Sequence, residues 1–485
     1  MLTHIPSNML DLEYSAPRTI VLIPSISFEG LTAKYLVGLN FFEERNLFYL
    51  ACLKNPKTRF IAVLSEGFQE CFINYCIEHI SQAYNLGVYE IKERFEIVSI
   101  PTDGKQYLTK NILQNAEFSH RINNALIDKT NTLIDYWMVT DSDARLAMQL
   151  GLAYYGLQAE AFNIDSKASS RKIFRTLDIA IPAGRENLAS FQEVQLALQE
   201  LLEEASSETF IIKINQEEGG NGLAKIARAT AFLPYQEFLD QIQITKNIPI
   251  SEFEAALQQQ KAVLEAYIEA EIVAFPSVKM EILSDGVIRN LATHDQLLKD
   301  MTYSGSIFPA DPSYRSELIK LGQKISTHIA KLGVFGIASV DFLATKNSPN
   351  DTWKFWGIEI NARKGATTHS IFWSKWLTKA EYDQSNGVLQ AITGEIMYQA
   401  SEYFWTPNLS KIPPETILAA IKNAGLDFDH QKQSGVFVHM LSCVPKFGKF
   451  GATIIGHTKE EVTDYWEKLE QLLATQFTSD VNGSD

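Results

Sequence analysis

Trp353-Lys354-Phe355-Trp356-Gly357-Ile358-Glu359-Ile360-Asn361, followed by Ala362-Arg363, is a β-forming run with two polar side chains two positions apart near its end. Successive side chains of a strand point to opposite faces, so Glu359 and Asn361 share one face, about 7 Å apart. A second such run, Phe335 to Ala344, carries one carboxylate, Asp341, between Val340 and Phe342. The Asn- and Pro-bearing segment Lys346 to Asp351 between them reads as a hairpin loop. Pairing would place three oxygen-bearing side chains in an otherwise apolar sheet. Buried carboxylates need a compensating cation or hydrogen-bond donors. This ligand set suits Mg²⁺, which takes one or two carboxylates and completes its shell with phosphate oxygens. A salt bridge from Glu359 to Arg363 or Lys364 would meet the same need, and the local pattern leaves both readings open.

Upstream, Ala262 to Ile282 reads as two strands around Pro276, and Phe210 to Ile214 as a strand carrying Lys213. Four residues past Lys213 comes Glu217-Glu218-Gly219-Gly220-Asn221-Gly222. A lysine supplies a point charge, and glycines let backbone N–H groups approach oxygen closely, so the pair can grip phosphate. The same run is also an ordinary hairpin turn. No GK[ST] follows, so this is not a Walker loop. Lys167 precedes a helix, Ser169 to Leu177, and is either a second phosphate-directed lysine or a solvated one. Glu265-Ala266-Tyr267-Ile268 could offer backbone groups to a purine, with Glu269 or Glu271 accepting from ribose hydroxyls. It is equally a plain strand with an acidic end.

The first third alternates strand and helix patterns. Thr19–Ile23, Arg59–Leu64, Phe95–Ile100 and Tyr136–Val139 read as strands, with helices such as Glu43 to Leu53 and Asp141 to Leu152 between them. That alternation predicts a parallel sheet with crossovers. GxGxxG does not follow the first strand, so no dinucleotide is assigned. Ser316 to Leu332 is an amphipathic helix, Lys459 to Leu473 another, and Phe477 to Asp485 a polar tail expected to fray.

The chain has 485 residues, a prior of about three compact units at ~150 residues each. Lys plus Arg number 43 and Asp plus Glu 58, for a net charge of −15. That field repels phosphate-rich polymers and argues against a nucleic-acid binder, but not against a small anion in a local basic cleft. Four cysteines without CxxC spacing read as buried thiols in a reducing compartment. Met1 to Arg18 lacks a signal-peptide pattern, and no run approaches ~18 apolar residues, so a cytoplasmic protein without a membrane partner is expected. The sequon at Asn408 is then a chance match.

The order of these pieces resembles the ATP-grasp superfamily of carboxylate–amine ligases. It resembles most closely the pheganomycin-type peptide ligases, which make peptide natural products. The resemblance spans roughly residues 18 to 475 and rests on Pro24-Ser25, Val139-Thr140-Asp141, Ser166-Lys167-Ala168-Ser169-Ser170-Arg171, Thr293-His294-Asp295-Gln296 and Phe308-Pro309-Ala310. Glu359-Ile360-Asn361-Ala362-Arg363, Thr367-Thr368-His369 and Gly435-Val436-Phe437-Val438-His439-Met440 add to it.

The resemblance implies an α/β chain with a Rossmann-like pre-ATP-grasp domain (1–155). A two-subdomain ATP-grasp α+β fold follows (156–262 with the lysine and glycine loop, 263–406 with the acidic strands), and then a small C-terminal α+β domain (407–485). It implies that Lys167 and Lys213 bind ATP phosphates, and that Glu217, Gly219, Gly220, Asn221 and Gly222 fold over the triphosphate. Glu265, Ala266, Tyr267 and Ile268 would meet the adenine, with Glu271 at the ribose. Asp341, Glu359 and Asn361 would hold Mg²⁺, or Mn²⁺ in its place, and Arg363 would face the transferring phosphate. His294 and His369, which titrate near neutrality, are candidates for taking the amine's proton, or are hydrogen-bonding structural histidines. The implied activity joins a small-molecule acid, activated as an acyl-phosphate, to an amine such as an amino acid or peptide, and relatives of this type are often homodimers. Two alternatives use the same triphosphate grip: a small-molecule kinase and a non-catalytic nucleotide-binding regulator. The sequence departs from the resemblance at Ala362 and Lys364-Gly365-Ala366, where the pheganomycin-type ligases are richer in Arg and Gly.

Overall fold

A computed structural model describes residues 14–104, 106–158, 161 and 163–477. The segment before Tyr14 and the tail beyond Phe477, both read above from composition, lie outside the described residues. Phe477 itself is not frayed: it is buried, and its carbonyl accepts from Thr406 Oγ1 at 3.3 Å.

Strands β1 (Arg18–Ile23), β2 (Thr58–Ser65), β3 (Phe95–Ile100), β4 (Thr132–Tyr136) and β5 (Ala153–Tyr155) form a sheet of order β3-β2-β1-β4-β5. Every pairing in it is parallel. Its strands are apolar on both faces because helices cover both, as a parallel sheet requires. The fourth strand ends at Tyr136, earlier than expected. The apolar run Trp137–Val139 leaves the sheet instead, and the Trp137 carbonyl accepts from Lys364 N at 3.1 Å. Its hydrophobicity reflects burial against the next domain, not strand pairing. The helix expected over Glu43 to Leu53 is a tight 3₁₀-wound segment, Leu39–Lys54, buried at every position from Phe42 to Leu53, Glu43, Glu44 and Arg45 included. The helix from Asp141 stops at Leu150 because Gly151 adopts a left-handed conformation, φ 69°.

A second, antiparallel sheet joins β6 (Gly184–Leu188), β7 (Thr209–Ile214), β8 (Leu223–Ala227), β9 (Gln243–Ile244) and β10 (Ala262–Ala266) in the order β6-β10-β7-β8-β9. Lys213 sits opposite Leu223, so the glycine loop is the turn of the β7–β8 hairpin.

The segment Ala262 to Ile282 holds three strands rather than two. After β10 the chain crosses to a third sheet, entering it with β11 (Ile272–Ala274) and β12 (Pro276–Ile282). Proline opens β12, the position where its missing N–H costs least. The sheet continues through β13 (Ile288–Lys299), β14 (Thr302–Phe308), β15 (Gly336–Lys346) and β16 (Lys354–Asn361). It then takes up β17 (Glu381–Asp383), β18 (Val388–Ala391), β19 (Gly394–Trp405), β20 (Gly435–His439) and β21 (Lys449–Gly456). β15 pairs with β11, β12 and β16, while β19 pairs with β14, β18 and β21. The C-terminal segment therefore extends the sheet that carries Asp341.

Two features fix the first sheet against the third. Aromatic packing joins them, with Phe48 stacked on Phe372 at 4.7 Å and Tyr75 against Phe437 at 5.2 Å. A buried ion pair does the rest: Lys364 Nζ lies 2.8 Å from Asp135 Oδ2. The four cysteines carry free thiols. Among the described residues no helix is long and apolar enough to cross a membrane.

Candidate active site

The β15–β16 register sets Asp341 opposite Glu359 and Ser339 opposite Asn361. Asn361 Nδ2 donates to Asp341 Oδ2 at 2.9 Å, and Gln296 Nε2 of β13 donates to Asp341 Oδ1 at 2.7 Å. Burial, then the neighbouring Glu359 charge, pushes the Asp341 carboxyl up to about 7. Glu359 Oε1 accepts no hydrogen bond among the described residues, although Lys167 Nζ lies 3.1 Å away. Two half-buried carboxylates facing each other on paired strands fit a divalent cation. Among the described residues no three His, Cys, Asp or Glu side chains cluster at ligand spacing. A cation here would rest on two carboxylates and the Asn361 oxygen, with the shell completed by phosphate, as Mg²⁺ allows.

The cations come from three elements. Lys167, at the start of the helix Lys167–Thr176, is buried rather than solvated and also donates to the Glu217 carbonyl at 2.8 Å. Burial opposes its charge, but Glu359 and Glu218 outweigh that and raise its affinity for a proton. Lys213 of β7 is ion-paired with Glu265 of β10, which Arg171 Nη1 also contacts at 2.6 Å. Burial opposes the Glu265 charge, yet these two cations hold its carboxyl below the usual range. Arg363 is clamped between Asp165 Oδ2 at 2.9 Å and Glu218 Oε1 at 2.7 Å. Glu359 thus meets Lys167, and neither Arg363 nor Lys364.

The glycine loop lies over this group. Its Glu217 carboxylate points away from the cleft, to the helix Gly30–Tyr35. Gly220 has φ 80°, and a Cβ there would stand 2.5 Å from Thr302 Oγ1, so only glycine fits. Asn221 is buried and braces the turn, with Nδ2 donating to the Glu218 carbonyl at 2.8 Å.

Beneath the loop is a cavity of about 490 Å³. Lys167, Lys213, Glu217, Gly219, Gly220, Glu265, Ala266, Tyr267, Ile268, Asp341, Glu359 and Asn361 all line it. Arg363 borders an adjoining pocket of about 180 Å³ that shares Asp341 and Asn361 with it. Asn221 and Gly222 support the loop without lining the cavity, and Glu271 is exposed outside it.

The structure does not bring His294 or His369 to either space. His294 is fully buried with Nε2 2.6 Å from Tyr398 Oη, and burial lowers its proton affinity well below the usual histidine range. His369 is buried with Nε2 3.3 Å from His439 Nε2, and burial, then the nearby His439, depresses it likewise.

Sequence reasoning placed Glu218 in the glycine loop without its ion pair to Arg363, and missed Lys279, Arg45, Trp137 and Glu402. Lys279 was the most readable of these, a lysine inside the apolar run Val278-Lys279-Met280. It is 1 % exposed, its Nζ has no hydrogen-bond partner among the described residues, and burial lowers it to about 8.

A hairpin lysine and glycine loop from one antiparallel sheet face acidic strands of another, and this is the arrangement of an ATP-grasp fold. Residues 249–380 match the family model of the IQCH-like ATP-grasp domain, and residues 416–469 that of the PGM1 C-terminal domain. In sequence the chain is similar to the L-propargylglycine–L-glutamate ligase of Streptantibioticus cattleyicolor, 23% identical over 466 residues, 95% of each chain. In structure it is similar to a biotin carboxylase from Campylobacter jejuni (TM-score 0.57, 14% identity, 94% of this chain and 91% of that one). It is also similar to the N5-carboxyaminoimidazole ribonucleotide synthetase purK in its ADP complex (TM-score 0.54, 12% identity, 95% and 98%).

Proposed function

We propose that the protein is an ATP-dependent carboxylate–amine ligase. It activates a substrate acid as an acyl-phosphate and joins it to the amine of an amino acid or peptide, releasing ADP and phosphate. The observation that carries this reading is the convergence of Lys167, Lys213, Asp341, Glu359 and Asn361 on one cleft beneath the glycine loop.

Adenine would lie in the apolar slot at Ala266–Ile268. Tyr267 N already donates to the Thr209 carbonyl and its own carbonyl accepts from Ser207 Oγ, so Ile268 N–H is the donor left for a purine. Lys213 and Lys167 would bind the phosphates, with the loop backbone over them. Mg²⁺ or Mn²⁺, held by Asp341, Glu359 and Asn361, would supply charge neutralisation on the phosphate oxygens. The substrate carboxylate attacks the γ-phosphorus, breaking its bond to the bridging oxygen, with Arg363 stabilising the negative charge that develops. The amine then attacks the acyl carbon, loses a proton and expels phosphate. Closure of the glycine loop excludes the water that would hydrolyse the acyl-phosphate. The free thiols and the need for ATP support a cytoplasmic setting.

The test is a screen of amino acids and short peptides for substrate-stimulated ADP release, with mass spectrometry of the products. A ligase yields amide and phosphate in equal amounts; a stable phospho-product would mark a kinase and overturn the proposal.

A further inference from the structure

The pocket of about 180 Å³ beside the cleft has two unlike ends. One side is shared with the cleft through Glu218, Gln296, Asp341 and Asn361, and of the two spaces Arg363 borders the smaller alone. The other is built by elements outside the matched ATP-grasp region: Arg45 from the 3₁₀-wound segment and Glu402 from β19. Pockets for drug-sized ligands run to roughly 300–1,000 Å³, so this one suits a single amino acid rather than a long peptide.

Arg45 is 3 % exposed and ion-paired with Glu402, which is 5 % exposed. Its guanidinium lies 4.2 Å from the Phe42 ring centroid and 5.9 Å from that of Trp137. Arg363 lies 5.9 Å from the same indole, so the two guanidinium carbons are at most twice that distance apart, with Trp137 beside both. Among the described residues, the Phe42 carbonyl and Glu402 engage two of the five N–H donors on Arg45. Lys449 Nζ stands 5.0 Å over the Tyr403 ring behind Glu402, outside the pocket's lining, and donates to the Val37 carbonyl at 3.1 Å.

An amino-acid acceptor sets a specific problem. Its own carboxylate must be kept from the phosphate, while its amine must reach the acyl carbon. A guanidinium lining this pocket, which neither Lys167 nor Lys213 lines, solves both parts, because planar two-point pairing with a carboxylate also fixes orientation. Resting on the ligase reading above, we infer that Arg45 binds the carboxylate of an α-amino-acid acceptor and so directs its amine toward Arg363. Glu402 holds the Arg45 fork in place, and Trp137 walls the acceptor's backbone.

The experiment compares acceptors on one donor acid, chosen as the acid that gives the most hydroxamate with MgATP and hydroxylamine. The amino acid joined fastest is set against its own α-amide, in wild type and in Arg45→Gln. Losing a charge-assisted contact is worth about 1.5–3 kcal/mol, so the wild type should favour the amino acid over its amide by roughly 10- to 100-fold in kcat/KM. In Arg45→Gln that ratio should fall to near unity, and Arg45→Lys should restore part of it. Because the readout is a ratio within one preparation, partial misfolding cancels. Equal use of amino acid and amide by the wild type, or an unchanged ratio in Arg45→Gln, overturns the assignment while leaving the ligase reading intact. ADP release with no hydroxamate from any acid overturns the ligase reading, and this one with it.

Discussion

Glu217 reaches out of the glycine loop to Thr32, accepting from its backbone N and its Oγ1, each at 2.6 Å, while the Thr32 hydroxyl also accepts from Glu218 N at 2.7 Å. The glycine loop over the cleft is thus fastened to the helix Gly30–Tyr35 that follows β1. Gly30 completes the contact: it has φ 64°, and a Cβ there would stand 2.2 Å from Glu217 Oε1.

Loosening that fastening should free the loop. In Glu217→Gln the charge-assisted bonds weaken, at about 1.5–3 kcal/mol where a charged partner is lost. Amide hydrogen exchange over residues 217–222 should then accelerate by roughly tenfold or more. Unchanged exchange there would show that the contact does not hold the loop.

Glu359→Gln should abolish divalent-cation-dependent turnover, lowering kcat by roughly 10²-fold or more, the scale for removing a preorganised charge-stabilising group. Lys167 still donates to the Glu217 carbonyl in that variant, so the fold should survive. Near-normal activity with an unaltered Mg²⁺ titration would refute the metal assignment.

Lys213→Ala leaves Glu265 paired with Arg171, so its main effect should fall on nucleotide binding. The dissociation constant for ADP, measured by calorimetry, should rise roughly 10- to 100-fold. An unchanged value would remove Lys213 from the phosphate grip.

Glu43 gives a pH prediction away from the cleft. Its carboxyl accepts from Ser65 N at 2.7 Å and Ser65 Oγ at 2.8 Å, and burial raises it from 4.5 to about 8. A carboxyl raised on folding binds its proton more tightly in the native state, so its contribution is present below about pH 4.5 and is lost as pH rises toward 8. The slope is at most about 1.4 kcal/mol per pH unit for one proton. Glu43→Gln, isosteric with the neutral acid, should remove this part of the decline in chemical denaturation between pH 5 and pH 8, a range set by the folded and unfolded values. A parallel decline in wild type and variant would show that Glu43 does not titrate there.

The candidate site was legible wherever it depended on short-range geometry. Period-two alternation put Glu359 and Asn361 on one face, and one hairpin set Asp341 opposite. Lys213 and the glycine loop lie in one β-turn-β unit and were read together. Arg45 and Glu402 were not legible, because they meet across a separation of 357 residues. The segment Glu43 to Leu53 was read only as a helix, whereas it is a 3₁₀-wound stretch buried at each of these positions, its charged residues included. His294 and His369 were chosen for their chemistry, and the fold gave them buried ring partners instead.

What this sequence determined by itself was the local order: strand–helix alternation in the first third, two acidic strands in the last, and a lysine delivered beside a glycine turn. Each follows from side-chain periodicity and turn chemistry, which act over a few residues. Tertiary structure decided which charge met which. Glu359 took Lys167, Lys364 took Asp135, and Arg363 took Asp165 and Glu218. A buried charge must be compensated by whatever packing brings within a few ångströms, and those partners come from distant segments that no local pattern names.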